Sequence, residues 1–379
     1  MSALEKVRNY LSKMNELGGS DLHVKANAYL HSRINGSIEK ISDEIFTPEE
    51  AIEFAKEILG TEFQTFEKNK ESDFVYPFDE FSRFRVNMFF QMDGVSAVFR
   101  VIPMTIPTLE QLKLPSALKE FTKVKDGLVL VTGVTGSGKS TTLAAMINEI
   151  NEHRKQHIIT IEDPIEFVHK DNKCLINQRN IGQDSLSFGN ALRAALREDP
   201  DIILVGEMRD VETIDIALHA AETGHLVFST LHTRDAKETI NRIISTFPSE
   251  EQNRIRVALS EALSGVISQR LIPTIDNKRA ASLEIMVQTS LIKQMIKDNR
   301  DSEILDLIED GREIYGSQSF DQSLLDLFKN GKISKEKALE NATSRSDLQL
   351  KMDNIPSDPP RDKDMEFQED EIFALKSDD

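Results

Sequence analysis

The sequence contains a single cysteine, Cys174, among its 379 residues, and this scarcity excludes two kinds of stabilisation. One cysteine cannot form an intramolecular disulfide, and it cannot build a cysteine-rich zinc site. We therefore expect a reducing compartment, where free thiols persist and disulfides are rare.

Long apolar runs are missing as well. The first residues, MSALEKVRNYLSKMNEL, lack the apolar core of a signal peptide. No stretch approaches the roughly 18 apolar residues that a membrane span requires. The expectation is a cytoplasmic chain without membrane insertion, which reaches a membrane only through a partner.

Positive charge is in short supply, because 46 lysines and arginines face 64 aspartates and glutamates and leave a net charge of −18. Bulk binding to nucleic acid needs a basic footprint. We therefore predict no direct nucleic-acid binding, although a local basic patch remains compatible with the composition. The length and a hydrophobic content of 39% allow two or three domains with a sizeable core.

Residues 1–100 predict a small α+β domain. Apolar residues at helical spacing predict a helix over 2–17. Residues 48–69 predict a second helix, with Thr47 as its cap and Gly60 as its stop signal.

The end of this domain predicts a hairpin. In RFRVNM, which begins at Arg83, every second residue is apolar, and a turn at Asp93-Gly94 leads into VSAVFRVI. Arg83 and Arg85 therefore share the face away from the core, and Arg100 lies on the returning strand.

The rest of the chain divides into three segments. Three prolines in residues 101–115 predict a linker. Residues 116–350 begin with alternating strands and helices, which predict a parallel, doubly wound sheet; helical patterns dominate from 235 onward. Residues 351–379 hold ten acidic residues, four basic residues and three prolines, and predict an acidic disordered tail.

A phosphate-binding motif follows the apolar segment LVLV. GVTGSGKSTT, residues 133–142, matches the P-loop pattern of two glycines that frame four residues before a lysine and a serine. Backbone N–H groups of such a loop surround phosphate oxygens, with the lysine reaching the β- and γ-phosphates and the serine binding Mg²⁺. The predicted nucleotide-binding residues are Gly133, Thr135, Gly136, Ser137, Gly138, Lys139, Ser140 and Thr141.

Carboxylates follow two other predicted strands. IILVGE places Glu207 after an apolar run, at the strand end where ligands of such sheets bind, so Glu207 is a candidate for holding Mg²⁺ through water. IEDPIE supplies Glu162 and Glu166 beside a proline bend, and either glutamate could orient the attacking water.

Histidines and arginines complete the candidate set. His225 and His232 flank the predicted strand HLVFSTLH and are candidates for sensing a γ-phosphate, whereas two histidines and one cysteine make no convincing metal set. Arg83, Arg85 and Arg100 are either solvated strand residues or, in a ring, groups that reach a neighbour's nucleotide.

At this point the motifs resemble those of a known family. GVTGSGKSTT, ITIEDPIEFVH, ALREDPDIILVGEMRD and GHLVFSTLHT are similar to the Walker A, Asp-box, Walker B and His-box motifs of secretion ATPases, and more narrowly of the PilT/PilU branch of type IV pilus retraction motors. The resemblance covers roughly 1–350. It implies a PAS-like N-terminal domain, a RecA-like P-loop ATPase domain over 116–350, and a homohexamer that binds ATP and Mg²⁺ between adjacent subunits.

The resemblance also implies roles for individual residues. Lys139 and Ser140 match the loop, Glu207 the Walker B motif, and His225 and His232 the His box. Glu166 is preferred to Glu162 as the catalytic residue of the Asp box. The arginines at 83, 85 and 100 match those that contribute to the site from a neighbouring subunit.

Two departures narrow the expectation within the branch. Extension motors carry a four-cysteine zinc element that one cysteine cannot build. The stretch SLIKQMIKDN, at 290–299, replaces the AIRNLIRE-like helix of PilT-type chains and, with the acidic tail, favours a PilU-like accessory to a sister PilT-type ATPase. The expected partners are that ATPase and the inner-membrane pilus platform protein, at the cytoplasmic face of the membrane. The alternatives are a mainly structural or regulatory partner of the sister ATPase and a DNA or protein translocase.

Overall fold

A computed structural model describes residues 2–34, 36–79, 82–102, 105–276 and 278–354. Within them the chain forms two sheets, one of six strands and one of seven. Among the described residues, no helix combines the length and apolar character needed to cross a bilayer.

The first sheet is antiparallel throughout, with the strand order β3-β2-β1-β6-β5-β4. Its helices pack on one face, where Phe54, Phe84 and Phe99 are buried in a shared core. The strands are β1 (Asp21–Lys25), β2 (Ala28–Ile34), β3 (Ser37–Phe46), β4 (Glu71–Pro77), β5 (Arg83–Gln91) and β6 (Gly94–Ile102), and the helices are α1 (Ala3–Glu16), α2 (Pro48–Leu59) and α3 (Phe63–Asn69).

Local capping explains the two longer helices of this region. Ser2 and Glu5 form a reciprocal capping box at the start of α1, and Thr47 and Glu50 form another at the start of α2. The predicted helix over 48–69 is divided, because α2 ends before Gly60 and a short 3₁₀ turn leads into α3.

The second sheet has the order β13-β12-β7-β11-β10-β8-β9, and every neighbouring pair is parallel except the antiparallel pair β12 and β13. Helices cover both faces over two apolar clusters, which confirms the predicted doubly wound α/β class. The strands are β7 (Gly127–Thr132), β8 (His157–Glu162), β9 (Leu175–Asn180), β10 (Ile202–Val205), β11 (Leu226–Leu231), β12 (Leu263–Pro273) and β13 (Arg279–Val287).

The helical expectation for residues 235–350 is wrong over residues 263–287. There β12 and β13 form a long hairpin at the sheet edge, and β12 pairs directly with the strand that precedes the P-loop. The helices of the whole region are α4 (Ala117–Lys123), α5 (Lys139–His153), α6 (Phe188–Ala195), α7 (Val211–Glu222), α8 (Ala236–Ser245), α9 (Gln252–Ala262), α10 (Ser290–Lys297), α11 (Ile304–Asp310), α12 (Arg312–Tyr315), α13 (Phe320–Lys329), α14 (Lys335–Glu340) and α15 (Arg345–Asp353).

The segments predicted as a linker and a tail differ in what the structure describes. Residues 105–115 contain no helix or strand, and Leu109 is buried against the core of the second sheet. The final helix, α15, extends three residues into the predicted acidic tail, and the rest of that tail, from 355, lies outside the described residues.

Candidate active site

A cleft of about 510 Å³ lies along the carboxyl ends of β7, β8, β10 and β11. Its volume is in the range of small-molecule sites. Parallel strands bring their carboxyl ends to one edge, so residues that follow different strands meet there. The predicted residues among its lining are Thr135, Gly136, Gly138, Lys139, Ser140, Thr141, Glu162, Glu166, Glu207 and His232.

The loop between β7 and α5 is shaped by its glycines. Gly136 and Gly138 have φ values of 78° and 91°, which residues with a side chain rarely adopt. Lys139 opens α5 and folds back over the loop, donating hydrogen bonds to the Gly133 carbonyl at 2.7 Å and the Val134 carbonyl at 3.2 Å. Burial lowers the pKa of Lys139, although the carboxylates across the cleft oppose that shift.

Gly133 and Ser137 belong to the loop but do not line the cleft. The Ser137 side chain is buried, and its hydroxyl has no hydrogen-bond partner among the described residues. A Cβ at Gly133 would collide with the Gln269 carbonyl oxygen and the Ser137 hydroxyl. These two residues therefore support the loop by packing against β12.

Glu207 follows β10 after Gly206 and contacts an arginine and a histidine. One carboxylate oxygen lies 2.6 Å from Arg209 and the other lies 3.3 Å from His232 Nε2. Burial raises the pKa of this carboxyl, but the Arg209 hydrogen bond and the His232 charge outweigh burial and hold the pKa below its ordinary value. Both oxygens of the Glu207 carboxylate therefore have a partner within the cleft.

Glu162 and Glu166 differ in their surroundings. Glu162 accepts hydrogen bonds from Thr160 Oγ1 at 2.6 Å and from Gln178 Nε2 at 3.2 Å, and from the Glu166 backbone N–H. Burial raises the pKa of Glu162 in spite of these bonds. Glu166 is exposed to the cleft. The turn therefore carries one carboxyl group that is hydrogen-bonded within the protein, on Glu162, and one that is accessible from the cleft, on Glu166.

The structure does not bring His225 to the cleft. His225 precedes β11 and His232 follows it, so the strand of six residues separates them by about 20 Å. The His225 Nδ1 atom lies 3.0 Å from the Ala220 carbonyl. His225 therefore does not line the cleft of its own chain, because residues that flank one strand lie at opposite ends of that strand.

The three arginines are exposed on the first sheet, and none of them lines the cleft of its own chain. Arg100 pairs across the strands with Arg85 and donates through Nε to the Asp21 carboxylate at 2.7 Å. Arg85 also borders a smaller cavity shared with Pro164, on the Asp-box turn. Arg83 lies at the start of β5.

Several residues that line the cleft are not predicted from the sequence. Arg209 stands two residues after Glu207 in GEMRD, so the Walker B motif itself held the signal. His169 lines the cleft, and burial lowers its pKa to about 4, so it is a neutral ring there. Leu271 and Arg279 come from the β12–β13 hairpin, which carried no motif and was expected to be helical.

Comparison with known proteins assigns the chain to a protein family. Residues 5–343 match the family model described as Type II/IV secretion system protein, and the chain belongs to that family.

Two individual relatives are similar to the chain over most of its length. The chain is 47% identical over 326 residues to the Type IV pilus retractation ATPase PilT of Pseudomonas aeruginosa, covering 86% of this chain and 94% of that protein. It is 40% identical over 342 residues to the Type IV pilus ATPase PilU of the same organism, covering 90% and 89%. PilT thus shares the higher identity and PilU the longer alignment.

A solved structure is also similar to this chain over most of its length. The pilus retraction motor PilT with bound ADP superposes with a TM-score of 0.85 at 43% identity, covering 91% of this chain and 99% of that chain. The likeness therefore extends across both sheets.

Proposed function

We propose that the chain is an ATP-hydrolysing motor that powers type IV pilus retraction and twitching motility, as a PilU-like accessory to a sister PilT-type ATPase. The observation that carries the proposal is the cleft, where a P-loop lysine, two Asp-box glutamates and the Glu207–His232 pair meet at one sheet edge. The likeness to PilT and PilU over most of the chain supports the motor assignment.

The loop and the helix after it bind the nucleotide. Backbone N–H groups of the loop and the positive end of α5 attract phosphate oxygens. Lys139 leaves the Gly133 and Val134 carbonyls and turns to the β- and γ-phosphates. The hydrogen bonds to these two carbonyls satisfy the buried Lys139 side chain until that exchange occurs.

Oxygen donors in the cleft suit Mg²⁺. The Ser140 hydroxyl and the Glu207 carboxylate both line it, and Mg²⁺ takes such ligands while keeping several waters. When bound, the ion supplies neutralisation of the charge on the β- and γ-phosphates. His232 and Arg209 hold the Glu207 carboxylate in place from either side.

Glu166 is the residue that orients the attacking water, and Glu162 is its support. A base must be within reach of the attacking water, and Glu166 is exposed to the cleft. Glu162 binds the Glu166 backbone N–H, so it fixes the turn that carries Glu166. His232 lies 3.3 Å from Glu207 and directly follows β11. A movement of Glu207 when the γ-phosphate leaves is therefore passed to β11 through His232.

The site is completed by a neighbouring subunit in a homohexamer. Arg83, Arg85 and Arg100 are exposed on the first sheet and do not line the cleft of their own chain. In a ring, the PAS-like domain of residues 1–100 turns on the linker of 101–115 relative to the ATPase domain of 116–350, and hydrolysis drives that rigid-body motion.

Turnover of purified protein tests the enzyme assignment. Lys139→Ala removes the phosphate-binding ammonium and is expected to abolish ATP hydrolysis, whereas Lys155→Ala removes an exposed lysine outside the cleft and is expected to keep it. Equal turnover of Lys139→Ala and the wild type would refute a catalytic role for the cleft.

Mixing tests the shared site. Arg83→Ala and Lys139→Ala chains are each expected to be inactive, but equal amounts combine in one ring to give about a quarter of the interfaces an intact loop and an intact arginine. Activity that stays at the level of the separate variants in every ratio would contradict a contribution of Arg83 in trans.

Localisation and partners form the last part of the proposal. We place the motor in the cytoplasm, at the inner-membrane face, bound to the sister ATPase and the pilus platform protein. Full-length protein and a form ending at residue 354 are compared as baits for both partners. Equal capture by the two forms would show that residues 355–379 do not recruit them, and no capture by either would refute the partnership.

A further inference from the structure

Gln269 lies on β12, behind the phosphate-binding loop, with only 3% of its surface exposed. We propose that Gln269 is a positioning residue that fixes the conformation of this loop for phosphate binding. The inference rests on the proposed function, since it concerns how the same loop binds a nucleotide.

Both ends of the Gln269 carboxamide are used. The Nε2 atom donates to the Ser137 carbonyl at 2.7 Å, and the Oε1 atom accepts from Thr142 Oγ1 at 2.7 Å. A backbone carbonyl only accepts, so the nitrogen must face Ser137, which fixes the orientation of the amide. One side chain therefore joins the end of the loop to the first turn of α5.

The bond to Ser137 also sets the direction of an N–H group. In a planar trans peptide the carbonyl and the following N–H point in opposite directions. Because the Ser137 carbonyl is held toward β12, the Gly138 N–H points away from β12. Gly138 lines the cleft, so Gln269 turns this N–H toward the place where a phosphate binds.

The framing glycines of the motif fit the same contact. A Cβ at Gly138 would lie 2.6 Å from the side-chain atom Nε2 of Gln269. A Cβ at Gly133 would collide with the backbone carbonyl oxygen of Gln269. By contrast, a Cβ at Gly136 would meet no atom within 4 Å. The two glycines that bracket the loop therefore leave space for Gln269, whereas the middle glycine serves only the backbone turn.

Strand β12 is itself held firmly on both sides of Gln269. Ser268 accepts a hydrogen bond from Thr132 Oγ1 of β7 at 2.9 Å. Arg270 donates to the Asn341 carbonyl at 2.9 Å and lies 3.7 Å from the Phe320 ring centre. A side chain fixed to such a strand can hold the loop, because its own backbone has little freedom to follow.

The test compares ADP affinity among purified full-length variants. Gln269→Leu removes both hydrogen bonds, and Gln269→Glu keeps the size and the acceptor for Thr142 but cannot donate to Ser137 when ionised. Both are expected to weaken ADP binding by about tenfold or more. Gln288→Leu is the matched control: it removes a carboxamide that donates to the Ser260 carbonyl at 3.0 Å and does not line the cleft, and it is expected to bind ADP as the wild type does.

Thermal unfolding without nucleotide separates positioning from folding. A purely structural role predicts lower thermal stability with unchanged ADP affinity in the folded protein, and that result would overturn the inference. Thr142→Val provides a second test if Gln269→Leu fails to fold, and it is expected to weaken ADP binding less than Gln269→Glu; the reverse order would also overturn the inference. A wild type that binds no nucleotide would refute the proposed function as well, whereas wild-type affinity in folded Gln269→Leu would refute the positioning role alone.

Discussion

Glu284 makes stability depend on pH in a direction that is unusual for a carboxylate. It is 4% exposed on β13 and accepts the Ala236 N–H at 2.8 Å at the start of α8. Burial raises its pKa to about 7; the charges of Asp235 and Asp321 add to this, and the Ala236 N–H and Arg270 oppose it. The loop from His232, which lines the cleft, to Asp235 ends where the Ala236 N–H donates to Glu284. Glu284 therefore helps to fix the position of a loop that contributes to the cleft.

The magnitude follows from the two pKa values. A carboxyl that titrates near 4.5 in the unfolded chain and at about 7 in the folded chain contributes about 3 kcal/mol of pH-dependent stability. Between these values the folded protein holds more protons than the unfolded chain. The free energy of unfolding therefore falls as pH rises through this window, and the loss is complete above the folded pKa.

Glu284→Gln keeps an oxygen for the Ala236 N–H but carries no titratable group. The variant and the wild type are expected to unfold at similar urea concentrations at about pH 5, and the variant is expected to be more stable by most of about 3 kcal/mol at about pH 8. Circular dichroism of both proteins at several pH values measures the difference. Glu222→Gln, on an exposed helix end, controls for losing one negative charge. A stability difference between Glu284→Gln and the wild type that stays constant with pH would refute the reasoning.

Two further predictions concern packing. Arg256→Met breaks a buried pair in which Arg256 reaches both Asp301 oxygens at 2.9 and 3.0 Å, and it is expected to lower the free energy of urea unfolding by about 3–5 kcal/mol, with much of this recovered in Arg256→Met/Asp301→Leu. No recovery in the double variant would contradict an uncompensated charge as the cause. Gly138→Ala is expected to weaken ADP binding more than Gly136→Ala, since only the first Cβ meets Gln269; equal losses would show that backbone strain alone decides.

The parts of the cleft that the sequence could predict come from its parallel strands. A short apolar run followed by a polar residue marks a strand end, and the carboxyl ends of parallel strands share one edge. Glu207 is predicted on this basis, Lys139 from the glycine motif and His232 from its place beside a strand, and the structure brings the three together. His225 shows the limit of the same reasoning, because a residue before the strand lies at the far edge.

The hairpin of β12 and β13 was missed for a physical reason. Strand β12 pairs on both edges, and buried residues follow one another along it without the alternation that marks a half-buried strand. Gln269, Arg279 and Glu284 all belong to this hairpin, so their roles depended on contacts that no local pattern records. Arg83 and Arg85 are exposed on the face of β5 where the sequence predicts them, since buried and exposed residues alternate at the start of that strand.

The distance in sequence between the loop and Gln269 has a consequence for the synthesis of the chain. Ser137 and Gln269 are 132 residues apart, and ribosomes add about 5–20 residues per second. A nascent chain that already contains the complete glycine motif therefore waits about ten seconds before the residue that shapes it has been made. During that time β7 also lacks β12 as its neighbour, so fragments that end before residue 263 carry the motif without the shape that makes it a phosphate site.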